Sequence, residues 1–144
     1  MPIDDAERER RRRLMNAHVG AENAHDIQAI MATFAENTVN RFDSTVFASH
    51  DEIAQGHRSF GMDATQPGAI ENLYFTVDKE YFTEREVIVR GHMQGKHVGN
   101  LSGVAPPTNA EITMHFFTVY RFDADDKVAF ERVVMNLSPL AKPE

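Results

Sequence analysis

Apolar residues recur every third or fourth position through the first half of the chain and alternate with polar ones through the second half. The first pattern predicts helices and the second predicts strands. Asp4 and Asp5 offer capping oxygens for a first helix, along which Leu14, Ala17, His18 and Ala21 recur at helical spacing. Asn23-Ala24-His25-Asp26 breaks it, and Asp26 is placed to cap a second helix with the stripe Ile27, Ile30, Met31 and Phe34. A short alternating piece over 38–42 predicts a first strand. Ser49 or Asp51 then starts a third helix carrying Ile53, His57 and Phe60 on one side, ended by Gly61 and the Gln66-Pro67-Gly68 turn. The segments 73–82, 86–101, 111–122 and 128–137 are β-prone. Thr83-Glu84-Arg85, Pro106-Pro107-Thr108-Asn109 and Ala124-Asp125-Asp126 separate them. Helices followed by a long meander predict an α+β domain, with the helices covering one face of the sheet. Strands well beyond the usual ~5–6 residues predict strong curvature.

Composition narrows the possible roles. The length of 144 residues fits one domain spanning 1–144, and 42% hydrophobic residues suffice for a packed interior. Lys and Arg number 15 against 22 Asp and Glu, a net charge of -7 that disfavours nucleic acid and anionic membranes as partners. Arg8 and Arg10 to Arg13, interleaved with Glu7 and Glu9, read as the solvated face of the first helix, or alternatively as a docking patch for an acidic partner. With no cysteine, disulfides and thiolate metal sites are excluded. No apolar run approaches the ~18 residues of a membrane span, so a cytoplasmic protein is expected.

The most informative segment is the strand with Met93, Gly95, His97, Gly99 and Leu101 on one face. Glycine buries nothing and weakens a strand, so glycines flanking a histidine suggest a sharp bend or the approach of a ligand to the backbone. His97 is then either a satisfied core histidine or a side chain projecting into open space. On the last strand Phe130, Arg132, Val134 and Asn136 share a face. Arg132 either lies at the rim and reaches water or anchors an anionic group of a ligand.

Gly95, His97, Gly99, Gly103 and Pro106 stand in the register of a motif that resembles SnoaL-like polyketide cyclases, in the nuclear transport factor 2-like group. Lys127 and Val128 also match the opening of that family's last strand, while Arg132 stands at its Trp place and Asn136 at its Asp place. The resemblance implies a cone-shaped α+β barrel, with three N-terminal helices packed on a curved, mostly antiparallel sheet. It further implies a homodimer and an aldol ring closure on an aromatic polyketide without metal or cofactor, with the Asp as general acid/base beside the histidine. Asn136 departs from that pattern, since a carboxamide can hold an oxyanion but cannot accept a proton at neutral pH.

These observations give an expected site of His97 as acid/base with Arg132 and Asn136 stabilising negative charge. Around it His57, Met93, Phe130, Val134 and Tyr74 would line a cavity for a hydrophobic, oxygenated molecule. His57 has the alternative of core or rim packing. The chemistry expected is aldol cyclisation, isomerisation or dehydration; the alternative is a non-catalytic binding or accessory protein. His115 is expected on the outer sheet face, and His18, His25 and His50 at the surface. His92 and His97 are five apart on a strand and face opposite ways, and no H-x-H or H-E-x-x-H spacing occurs, so no metal and no cofactor is expected. Apolar residues on both faces of 111–122 predict that a second copy covers the outer face.

Overall fold

The Asp4 side chain accepts the Glu7 backbone N–H at 2.8 Å and starts the first helix, α1 (Asp5–Asn23). The computed structural model describes residues 2–101 and 106–141. Asp26 caps α2 (Ile27–Ala32) in the same way, and Ser49 caps α3 (His50–Phe60). Gly61 ends α3 at φ 129°, in the left-handed region, with its N–H bonded to the His57 carbonyl oxygen. The strands are β1 (Phe34–Phe42), β2 (Thr45–Phe47), β3 (Ile70–Phe82), β4 (Val87–His97), β5 (Glu111–Phe122) and β6 (Val128–Met135). They form one six-stranded sheet in the order β2-β1-β6-β5-β4-β3. The β1–β6 pair is parallel and every other pair antiparallel. The sheet is curved and unclosed, and the three helices pack on it as an α+β fold of the nuclear transport factor 2-like type.

Two element expectations change. Phe34 opens β1 and does not end the second helix, and β2 was not foreseen. A three-residue strand at the sheet edge carries too little alternation to show in sequence. The buried face of α1 is Arg11, Met15, His18 and Glu22, not the apolar stripe around Leu14 and Ala17. Arg11 is not part of a solvated face either. Its guanidinium donates to the carbonyl oxygens of Thr83, Glu84 and Glu86 at 2.9, 2.7 and 3.3 Å, clamping the β3–β4 turn to α1.

Alternation on β4 and β5 is regular: Val87, Val89, Met93 and His97, with Ile112, Met114, Phe116, Thr118 and Tyr120, all turn inward. β6 breaks step. Phe122 pairs with Val128 but Arg121 pairs with Phe130, leaving one extra residue on β6. Val128 and Glu131 are both buried although they lie an odd number of positions apart.

Candidate active site

Behind the helices the concave face of the sheet leaves a pocket with an apolar wall that includes Phe42, Phe47, Phe60, Phe75 and Phe116. Its polar part is made by Glu22, Asn40, His57, Thr118, Tyr120 and Glu131. Capping and heptad-like spacing on α1 set His18 and Glu22 one turn apart on its buried face, so both aim into the fold. α3 contributes His57 by the same rule, one turn after buried Ile53. The β6 bulge then brings Glu131 under them. These ionisable groups are all withdrawn from water, with His18 0% and Glu131 3% exposed.

Glu131 Oε1 accepts from Asn40 Nδ2 at 2.7 Å, and its Oε2 lies 3.1 Å from His18 Nε2. Glu22 Oε2 stands 3.5 Å from His57 Nε2 and 3.7 Å from His18 Nε2. On the far side of each ring the partner is an acceptor. His57 Nδ1 donates to the Ile53 carbonyl oxygen at 2.7 Å. His18 Nδ1 is 2.6 Å from Thr33 Oγ1, whose own proton goes to the Ile30 carbonyl oxygen at 2.6 Å. Edge-on contacts to Phe34 and Tyr120, with ring centroids 5.1 and 5.6 Å away, hold the His18 ring.

The electrostatics follow from this geometry. Burial disfavours a charged His18, but Glu22 and Glu131 outweigh it and push its pKa up to about 9. Burial works against His57 likewise, and Glu22, with help from Glu131 and the Ile53 carbonyl, raises it. Burial would raise Glu131, yet His18, His57 and the Asn40 hydrogen bond hold its carboxyl below the usual range. Tyr120 is pushed well above its ordinary value, first by burial and then by the two carboxylates. The pocket therefore ends in the ionised Glu131 carboxylate beside a phenol that keeps its proton. His18, His57 and Glu131 also present ligand atoms within 4.8 Å of one another, close enough to share a metal ion.

Among the expected site residues, His57 is in the pocket wall. His97 is fully buried, not in open space: its Nδ1 accepts the Thr108 N–H at 3.2 Å, while its Nε2 has no hydrogen-bond partner among the described residues. The glycines around it make room for neighbouring chain: a Cβ at Gly95 would run into the Ile70 side chain and stand 2.9 Å from the Glu71 carbonyl oxygen. Met93 is a core residue at 0% exposure, and Gly103 lies outside the described residues. Arg132, Val134 and Asn136 are exposed, Phe130 is half-buried, and Tyr74 is exposed on β3. Phe130, Arg132, Val134 and Asn136 do share the parity expected of them. The bulge at the start of β6 gives the inward places to Glu131, Val133 and Met135 instead. The supposed triad of His97, Arg132 and Asn136 does not converge.

His18 was expected at the surface and is the most enclosed of the polar cluster. His25 and His50 are half-buried, with Nε2 atoms 2.7 Å from the Leu73 and Ala35 carbonyl oxygens. His115 is exposed on the outer face, as its alternation predicts. The sequence did carry one signal for the true cluster: His18 and Glu22 at i, i+4 on a helix whose other residues at that phase are buried.

The description "SnoaL-like polyketide cyclase" matches residues 10–142. Among curated proteins none matches the chain. Of solved structures, one described as a putative SnoaL-like polyketide cyclase from Jannaschia is 17% identical, covering 100% of this chain and 99% of that one at TM-score 0.77. AclR, a putative hydroxylase from Streptomyces galilaeus, is 23% identical over 92% of this chain and 81% of its own, at TM-score 0.73. SalBIII, an epoxide hydrolase/cyclase-like enzyme with a role in pyran ring formation in salinomycin, is 14% identical, covering 92% and 95% at TM-score 0.72. At such identities the likeness establishes the fold, while the match over residues 10–142 is to the family itself. The chain belongs to the SnoaL-like polyketide cyclase family.

Proposed function

We propose that the chain is an enzyme that rearranges a hydrophobic, oxygen-bearing small molecule by proton transfer at the polar end of the pocket. The observation that carries this reading is the placement of the buried Glu22 and Glu131 carboxyl groups at the end of an aromatic cavity. An apolar substrate fills the aromatic wall and leaves its oxygen function facing the carboxylates. Glu22 takes a proton from the carbon beside a carbonyl, the resulting enolate attacks a second carbonyl within the molecule, and the alkoxide so formed takes the proton back from Glu22. Tyr120 and Asn40 donate hydrogen bonds to the developing oxyanion, and the positive charge around His18 and His57 stabilises it. Ring closure is the favoured outcome, and a fold neighbour with a role in pyran ring formation supports it; dehydration and isomerisation use the same groups. Asn136 no longer argues against catalysis, because the acidic group that β6 contributes is Glu131.

The test is Glu22→Gln, assayed against a panel of polycyclic β-keto esters and epoxides. Turnover should fall about 100-fold, with ligand affinity kept within about tenfold. A wild-type chain that binds panel members but turns over none of them would make it a binding protein and overturn the proposal. No helix among the described residues is long and apolar enough to cross a membrane, and a cytoplasmic location goes with the reading.

The outer face supports a homodimer. Phe117 and Val134 are cross-strand partners and each is 50% exposed, an apolar patch in the middle of the sheet. A second copy laid on this face would bury it twice over. Sedimentation at micromolar concentration should show a dimer that Phe117→Glu converts to monomer; a monomeric wild type would refute the assembly.

A further inference from the structure

The aromatic pocket is small for its wall. Its cavity volume is about 80 Å³, room for a single ring, whereas sites for drug-sized molecules run to about 300–1,000 Å³. A second cavity of about 650 Å³ lies against it, between the β1–β2 hairpin and the exposed side of α3. Phe42, Phe47 and Gly56 line both cavities and so form the wall between them. Phe42 is held edge-on by Phe60, with ring centroids 5.7 Å apart. Phe47 is held by less: it is half-buried, on a three-residue strand at the sheet edge that pairs with β1 alone. Its ring tip rests on Gly56, where a Cβ would stand 2.9 Å from Phe47 Cε1 and Cζ. Glycine inside a helix is unfavourable, and seating this ring is what the position gains from it. The hairpin backbone is anchored. The Asp43 N–H donates to the Val133 carbonyl oxygen at 2.8 Å, and Asp43 Oδ1 accepts the Met135 N–H at 3.2 Å. Freedom to move is left to the Phe47 ring.

We propose that Phe47 divides the substrate site in two and that its ring swings aside to admit a two-part molecule. An apolar ring enters the inner pocket, and a substituent rich in hydrogen-bond donors stays in the outer cavity. Glu52, Gln55, Gly56 and Ser59 recur at i, i+3, i+4 and i+7, so one face of α3 lines that cavity, opposite Asp43 and Ser44 of the hairpin turn. No Lys, Arg or His is among the described residues lining it, while Asp43 and Glu52 are. Carboxylates accept hydrogen bonds and repel other anions, so this lining suits hydroxyl or amine donors and rejects a carboxylate. Glu52 is already oriented, because the Ala48 N–H donates to its Oε2 at 2.6 Å. A carboxylate has further lone pairs with which to meet a ligand. The inference deepens the proposed function and rests on it only for which end of the molecule reacts.

The test titrates the whole chain with phenol, phenyl β-D-glucoside and phenoxyacetate, with affinities read from protein NMR shifts. The glucoside should bind about tenfold more tightly than phenol, and phenoxyacetate no more tightly than phenol. Phe47→Ala should strengthen the glucoside about tenfold further, because the open arrangement no longer has to be selected from a minor population. The same variant should weaken phenol, which loses a wall of its pocket. Gly56→Ala favours the helix and pushes the ring off its seat, so it should move the glucoside-to-phenol ratio in the same direction. That variant decides the matter if Phe47→Ala fails to fold. Equal changes for both ligands, phenoxyacetate bound as tightly as the glucoside, or no glucoside binding at about 10 mM would overturn the divided site. None of these readouts needs turnover. The divided site can therefore fail while the Glu22→Gln result stands, and it can hold in a chain that turns over nothing.

Discussion

Glu131→Ala should lower the unfolding free energy by about 3–5 kcal/mol, the cost of breaking a buried ion pair from one side. Chemical denaturation at neutral pH measures it. Glu131 is 3% exposed, and its carboxylate is the nearest anion to a fully buried His18. Alanine leaves that ring facing a void, with Glu22 at 3.7 Å as the remaining counter-charge, and strands the Asn40 amide that donated to Oε1. Glu131→Gln keeps the shape and an acceptor for Asn40 and should cost distinctly less. Removing His18 as well should recover much of the loss, because the two residues share one network and their effects are not additive. A loss below about 1 kcal/mol for Glu131→Ala would mean that solvent reaches the cluster and that the ion pair is in effect a surface one.

Gly91→Val should cost about 3 kcal/mol, at the upper end of overpacking effects, and should lower the thermal midpoint correspondingly. β4 lies between β3 and β5, so Gly91 cannot escape sideways. A Cβ there would overlap the Thr76 carbonyl oxygen on β3 and stand 2.7 Å from Phe116 Cζ on β5. The Phe116 ring is part of the pocket wall and packs edge-on against Phe75 at 5.6 Å, so any shift that accommodates valine also deforms the cavity. Far-UV circular dichroism with thermal melting reads the result. A variant as stable as the wild type would show that β3 can move away without penalty.

Much of the architecture was legible along the chain. Asp26 caps α2, alternation on 111–122 marks β5, and the helix-then-meander order gives the α+β class, because caps, periodicity and turns act between near neighbours. Where β6 faces was not legible. Counting by twos from Val128 puts Phe130, Arg132, Val134 and Asn136 inward, and one extra residue in the ladder reverses that assignment. The bulge is a property of how β6 pairs with β5 and β1, whose register also shifts between Phe34 and Val39.

The chain by itself determined its helices, most of its strands, its acidic surface and the resemblance to its family, since each rests on residue identity and short-range spacing. Tertiary structure alone decided which ionisable side chains lose water together. His18 was expected at the surface, and nothing in the spacing along the chain singles out Glu131. Packing α1 and α3 over the concave face while β6 bulges beneath them turns all of these groups onto one buried point. The charge gathered at the end of the pocket interacts strongly there because burial removes the water that would otherwise have screened each group apart.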